Sequence, residues 1–235
     1  MIHHREKTPS EKNPEKKLTV IAIDGPAASG KGTLARNIGA ELDFAVLDTG
    51  LLYRAVAYLL LESDGDAEDK KAVMEATETL KDHLDTGLLS NFALRSDRVS
   101  EAASQISTIP ELRQSLLDMQ RNFAYAPPNG KKGAILDGRD IGTIVCPDAD
   151  IKFFVTAEPE IRAERRARQL YAENWPNHYE EMLEKTIRRD KRDRQRKAAP
   201  LKPADDAIVL DTSALGIKRV QEVALKHIRR QSSAA

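Results

Sequence analysis

At 235 residues the chain has room for one domain with inserted subregions and a sizeable buried core. Lys+Arg and Asp+Glu each number 37, so the balance is neutral, which argues against a general binder of nucleic acid or anionic membrane. The single cysteine, Cys146, excludes an internal disulfide, and no stretch approaches the ~20 apolar residues of a membrane-spanning helix.

The chain opens with a polar, proline-containing stretch over residues 1–17 that reads as a disordered tail without a signal peptide. Continuous apolar runs at 18–24, 44–48, 133–137, 151–157 and 207–211 read as strands buried on both faces, as in a parallel sheet. Four of these five runs end in Asp, the edge at which open α/β sheets carry their functional loops. Helices are expected over 31–41, 51–62, 67–83, 110–124, 159–171, 178–197 and 216–230. The alternation predicts an α/β doubly wound core of five parallel strands flanked by helices. Residues 63–109 and 162–177 break the rhythm and read as insertions on the functional face.

After the first strand comes GPAASGKGT, Gly25 to Thr33. Gly25, Pro26, Ala27, Ala28, Ser29 and Gly30 form a loop whose N–H groups can wrap phosphate, and Lys31 supplies a cation for the β/γ phosphates. The strict phosphate-loop motif has Ser or Thr next, to hold Mg²⁺; here Gly32 stands there and Thr33 follows. A metal would then be held by phosphates and water, with Thr33 and Asp137 as candidate ligands. Neither an Asn-Lys-x-Asp guanine reader nor an Asp-x-x-Gly switch occurs, which argues against a GTPase. A kinase with an anionic acceptor needs many cations to bring two polyanions together, and a lid against water.

LDTGLLYR puts Tyr53 and Arg54 in the first turn of a helix, where an arginine opposes the macrodipole unless both act on a bound phosphate. In DGRDIGT, Asp137 ends a strand as a Walker-B carboxylate does. Arg139 and Asp140 follow. They either pair with one another, or Arg139 meets a phosphate while Asp140 reads a base or ribose.

The run RRDKRDRQRK, 188–197, allows three readings: a solvated face, a nucleic-acid patch, or a clamp for a small polyanion. Its helix is expected to start on Asn177 as N-cap and to bury a stripe of Tyr179, Met182, Leu183, Thr186 and Ile187. Beyond Ile187 the stripe stops, Arg189, Arg192 and Arg196 share one face, and Asp190 and Arg194 form an i, i+4 pair. Aspartates among the arginines and the lack of interleaved aromatics disfavour nucleic acid. Once the phosphate loop is admitted, the clamp is favoured.

GPAASGKGT, DTGLLYR, ASQIS with Arg113 nine residues after Ser104, DGRDIGT and RRDKRDRQRKAAPL together resemble the bacterial cytidylate kinases, over about 18–228. The resemblance implies transfer of the ATP γ-phosphoryl, with Mg²⁺, to CMP or dCMP. It implies that Thr49, Arg54, Arg139 and Arg196 hold the acceptor phosphate, that Ser104, Arg113 and Asp140 face cytosine, that Arg189 and Asp193 approach the ribose, and that Tyr53 belongs to the CMP site. Arg162, Arg165 and Arg166 are implied to be lid arginines closing on ATP, with Lys31, Arg139, Arg196, Arg162, Arg166 and Asp137 the catalytic set. The expected organisation is a core of 18–48, 110–161 and 178–230, an acceptor-binding insertion of 49–109, and a lid of 162–177. The segment between His83 and Ser104 is short for the family, with room for one hairpin or none. The expected protein is a cytoplasmic monomer without nucleic-acid or membrane partner. Competing expectations are a kinase that prefers UMP or AMP, and a non-catalytic ATP-binding protein that recruits RNA through 188–197.

Overall fold

The computed structural model describes residues 19–83 and 87–232, so the expected tail at 1–17 lies outside the described residues. Five parallel strands, β1 (Thr19–Asp24), β2 (Ala45–Asp48), β3 (Gly133–Gly138), β4 (Ile151–Thr156) and β5 (Ile208–Asp211), pair in the order β2-β3-β1-β4-β5. All five predicted strands are found, and the burial explains their sequence pattern. Ile21 and Ile23 of β1 face one apolar cluster, while Val20 and Ala22 face another. A strand covered on both faces has no solvent side to encode.

The first cluster is closed by α1 (Lys31–Leu42) and α8 (Ile217–Ser232), through Leu34, Ile38, Val220, Ala224 and Leu225. The second is closed by α5 (Pro110–Tyr125), through Ala124, Leu117 and Phe123, and by Ile141, Val145 and Cys146 just after β3. α5 begins with Pro110 at a position where its missing N–H costs no helix bond. Register aligns the strand ends: Asp48 is opposite Asp137, and Asp24 is opposite Gly138. Three strand-terminal carboxylates, Asp24, Asp48 and Asp137, therefore share one edge of the sheet.

Beside the sheet lies a purely helical core built by α2 (Thr49–Glu62), α3 (Lys70–Asp82), α4 (Asp97–Ile106) and α5, with Leu60, Leu80, Leu94, Ile106, Leu112 and Leu116 fully buried. Each such side chain contributes about 1.5–3 kcal/mol of transfer free energy, which holds these helices to one another. α4 was not expected from the sequence. Its buried positions Val99, Ala102, Ala103 and Ile106 fall at i, i+3, i+4 and i+7, so the helical period is present, but the helix is short and two of the four are alanines. Ser96 caps it by accepting from Val99 N at 3.4 Å. Between 87 and 96 lie two 3-10 turns, Leu88–Ser90 and Phe92–Arg95, so the described part of this segment holds no hairpin.

A helical hairpin, α6 (Pro159–Tyr171) and α7 (Tyr179–Gln195), is joined by a 3-10 turn over Ala172–His178. Ala163, Ala167, Met182, Leu170, Trp175 and Leu183 pack inside it, and Arg168 lies over the Trp175 ring at 4.2 Å. Two expectations are corrected here. Asn177 is not the N-cap of α7 but part of the 3-10 turn, bonded to Asn174. His178 occupies the cap without a side-chain bond. Ile187, expected in the core stripe, is 51% exposed, because α7 is tethered by charged rather than apolar contacts from that point on. Among the described residues no helix is long and apolar enough to cross a membrane.

Candidate active site

The carboxyl edge of β1, β2 and β3 opens into a cleft whose far walls are α4, α6 and α7. The phosphate loop leaves β1 at Gly25, with φ 149°, and a Cβ there would come within 2.0 Å of Val155 O on β4. Only glycine fits so close to a neighbouring strand. The loop turns again at Ala28 (φ 59°) and Gly30 (φ 92°), then delivers Lys31 as the first residue of α1. The positive end of this 12-residue helix faces the cleft, as an anion site requires.

Lys31 Nζ lies 3.9 Å from Asp137 Oδ1, both nearly buried. Burial pushes the Lys31 ammonium down to about 8 and the Asp137 carboxyl up to about 6. A Cβ at position 32 would lie 2.9 Å from Asp137 Oδ2, so Gly32 leaves the space this carboxylate fills. Thr33 Oγ1 accepts from Arg36 at 3.3 Å.

The loop after β3 is fixed from two sides. Thr49 Oγ1 donates to Asp137 O at 2.8 Å. Asp24 accepts the N–H groups of Ile141 and Gly142, both at 2.8 Å, where the chain makes a π-turn over Ile141–Val145. Burial raises the Asp24 carboxyl to about 7 even though both N–H groups favour its ionised form. Arg139 and Asp140 therefore project on a braced loop, and they do not pair with each other. Arg139 Nε donates to Asp193 Oδ2 at 3.0 Å on α7, whereas Asp140 is bonded by Arg113 of α5 and lies 3.6 Å from Arg196. Burial would raise the Asp193 carboxyl, but Arg139, Arg189 and Arg196 outweigh it and hold it below its ordinary value.

The remaining cations converge from separate elements. Arg54 of α2 donates to Leu94 O at 3.3 Å, and burial, with Arg166 nearby, lowers its guanidinium to about 10. Arg189 is lowered to about 10 by burial and then by Arg139, and its Nε has no hydrogen-bond partner. Arg196 sits at the C-cap of α7, donates from Nε to Ala199 O at 2.6 Å, and leaves Nη2 without a hydrogen bond. Arg166 reaches Arg95 O and Ser100 Oγ, each at 3.0 Å. Tyr53 lies under Arg113, whose guanidinium carbon is 5.6 Å from the ring centre.

Of the residues expected from sequence, Ala27, Ala28, Gly30, Lys31, Gly32, Thr33, Thr49, Tyr53, Arg54 and Arg113 line this cleft, as do Asp137, Arg139, Arg166, Arg189, Asp193 and Arg196. Gly25, Pro26 and Ser29 form the loop behind it, Asp140 lies beneath Arg113, and Ser104 is buried with Arg192 donating to its hydroxyl at 2.8 Å. Two arginines are not brought to the cleft. Arg165 is bonded to Thr212 Oγ1 and O, at 2.9 and 2.7 Å. Arg162 is 1% exposed and forms a fork with Asp190, which replaces the expected Asp190–Arg194 pair.

Asp24, Asp48, Arg95, Asp97 and Lys185 also belong to this site, although none was among the site residues expected from sequence. Asp97 and Lys185 join α4 to α7 at 2.6 Å on the cleft wall. Asp24 and Asp48 carried a signal, as strand-terminal aspartates. The other three sat in segments without a motif.

The chain is 51% identical over 209 residues to a cytidylate kinase of Methylocella silvestris, covering 88% of this chain and 92% of that one. It is 46% identical to the cytidylate kinase of Rhodospirillum rubrum, covering 91% and 98%. Among solved structures, an uncharacterized protein from Eubacterium ventriosum shares the fold at TM-score 0.50 and 13% identity, covering 90% of this chain and 99% of that one. The cytidylate kinase family model matches residues 21–230, and the chain belongs to that family.

Proposed function

We propose that this protein transfers the γ-phosphoryl group of ATP to CMP or dCMP, giving ADP and CDP or dCDP. The observation that carries the reading is the convergence of cations from five separate elements on one cleft: Lys31, Arg54, Arg139, Arg166, Arg189 and Arg196. A single nucleotide does not require so many. Two phosphate chains laid end to end do, because their repulsion must be offset before they can react.

The donor triphosphate rests on the loop from Gly25 to Gly30 and on Lys31. The acceptor phosphate is held by Thr49, Arg54, Arg139 and Arg196. Arg113 and Asp140 face cytosine, whose N4 donates and whose N3 and O2 accept; uracil, with N3–H and O4, reverses that pattern. Ser104 reaches the base once Arg192 releases it. Arg189 and Asp193 approach the ribose.

An oxygen of the acceptor phosphate attacks the γ-phosphorus, and the bond from that phosphorus to the β–γ bridging oxygen breaks, leaving ADP. The attacking group is already an anion, since the second pKa of a phosphomonoester is near ~6. No general base is needed, and none of His83, His178 or His227 lines the cleft; His3 and His4 lie outside the described residues. Lys31, Arg139 and Arg196 offset charge on the transferring group. Arg166 reaches from α6 across the cleft, with the hairpin 162–177 acting as the lid and 49–109 as the acceptor-binding part. Arg162 and Arg165 support that hairpin from below.

The donor set fits a hard divalent cation: Asp137 at the loop, Asp48 beside it and Thr33 in the first turn of α1 are oxygen ligands. Among the described residues no group of three or more His, Cys, Asp or Glu could hold a metal ion. Bound Mg²⁺ would supply charge neutralisation on the β and γ phosphates.

A coupled assay of ADP release with CMP, dCMP, UMP and AMP tests the reading. Turnover with CMP and dCMP well above the other two is expected. AMP or UMP used as well as CMP would contradict it, as would tight, salt-sensitive RNA binding without transfer.

A further inference from the structure

One buried ion pair has no part in the steps above. Arg162, in the first turn of α6, and Asp190, in α7, are 1% and 5% exposed. Their fork is bidentate, with Nη1 to Oδ1 at 3.0 Å and Nη2 to Oδ2 at 2.5 Å. The same guanidinium donates from Nε to Ala157 O at 2.8 Å, at the exit of β4, and from Nη1 to Ala27 O at 3.3 Å, inside the phosphate loop. One side chain thus joins the sheet, the phosphate loop, α6 and α7.

Removing two charges from water costs several kcal/mol per ion, and an apolar pair of similar volume would close the same space at no such cost. What an apolar pair lacks is direction. A planar fork fixes the rotation and height of α7 against the loop, because neither helix can slide without breaking two parallel bonds. Asp190 directly follows Arg189 and lies one turn before Asp193, and both of these line the cleft. Ala27 precedes Ala28, the residue that turns the phosphate loop at positive φ.

We propose that Asp190, acting through Arg162, is a positioning residue that sets the distance between the phosphate loop and the α7 clamp. On the phosphoryl-transfer reading, on which this inference rests, that distance separates donor from acceptor phosphate. Neither residue touches a nucleotide. Their effect falls on alignment of the two substrates rather than on the binding of either one.

The test is the full-length double variant Arg162→Met/Asp190→Leu beside the parent, with Asp190→Asn as a second variant. Parent activity on CMP is measured first; a parent that transfers nothing strikes the functional reading itself and takes this proposal with it. With an active parent, the double variant is expected to melt no lower than about 5 °C below it, since apolar replacement of a buried pair is often neutral or better. Its Kd values for ATP and for CMP, each titrated alone, should stay within about threefold, while kcat falls about 100-fold, the scale of a roughly 1 Å misplacement. Asp190→Asn should lose kcat as well. A stable double variant with kcat within about threefold of the parent would overturn the proposal. So would failure of the double variant to fold, since the pair would then serve structure alone.

Discussion

Arg139 Nε donates to Asp193 Oδ2 at 3.0 Å, tying the loop after β3 to the last turns of α7 across 54 residues of sequence. The bond holds one cation and one anion at the centre of the cleft, with Arg189 and Arg196 around them. Their order explains why the helix carrying 188–197 alternates signs. On its inward side Asp190 pairs with Arg162, Arg192 with Glu101 and Asp193 with Arg139, while Arg188, Lys191, Arg194 and Lys197 are exposed.

Arg196→Ala should damage use of the acceptor. Arg196 is 8% exposed, and its Nη2 makes no hydrogen bond, lying 3.6 Å from Asp140 Oδ1, so this nitrogen has a bond to give to an acceptor phosphate. A charged hydrogen bond is worth about 1.5–3 kcal/mol, which predicts a fall in kcat/KM for CMP of about 10–100-fold. KM for ATP should move little. Steady-state kinetics with each substrate varied in turn will show whether the loss is confined to the acceptor.

Arg189→Met is expected to trade activity for stability. The Arg189 Nε is buried without a partner, and Arg139 and Arg54 repel its charge. Removing an under-satisfied cation should raise Tm by a few degrees, about 2–4 °C per kcal/mol in a chain of this size. Activity on CMP should fall at least tenfold. A calorimetric scan in which Tm drops would refute the trade.

Gly32→Ser would restore the strict phosphate-loop motif, yet it should lower kcat. The new Cβ would meet Asp137 Oδ2 at 2.9 Å, and this carboxylate is buried against Lys31 with little room to withdraw. A loss of about tenfold or more is expected, on the scale of a displaced charged contact. Unchanged kcat at saturating nucleotides would mean that the carboxylate shifts freely.

Asp24 makes stability depend on pH in an unusual direction. Its carboxyl titrates near 3.8 when unfolded and at about 7 when folded. Between those values the native state holds more protons, so stability from this group is greatest at low pH and is lost as pH rises toward about 7. Asp24→Asn removes the titration. Urea midpoints at pH 5 and pH 8 should therefore differ less in the variant than in the parent, and kcat should fall because the Arg139 loop loses its ionic anchor. An equal pH slope in both proteins would contradict this assignment.

The sheet could be read from sequence because strands covered on both faces are continuous apolar runs, and each of the five was found where the pattern placed it. The phosphate loop was legible for a similar reason: its glycines and lysine are adjacent, so one short window contains the whole device. What escaped were relationships across distance and elements with weak patterning. α4 is only 10 residues long and buries Ser100, Ala102, Ala103 and Ser104 between Val99 and Ile106, so its apolar face is made mostly of small side chains although its period is helical. The π-turn at Ile141–Val145 has no sequence signature and exists because Asp24, 117 residues earlier, accepts its first N–H. Asp190 had an arginine four residues on, the usual surface partner, but its actual partner is 28 residues away in a neighbouring helix. Charge lists give the inventory of a cleft; only the fold decides which charges meet.

The most direct test of the convergence on two phosphate chains is a crystal structure with CMP and a non-hydrolysable ATP analogue bound together. Guanidinium nitrogens of Arg54, Arg139 and Arg196 are expected about 3 Å from oxygens of the CMP phosphate, with Lys31 on the donor β and γ phosphates. CMP bound elsewhere, or those three arginines turned to solvent with both nucleotides in place, would contradict it.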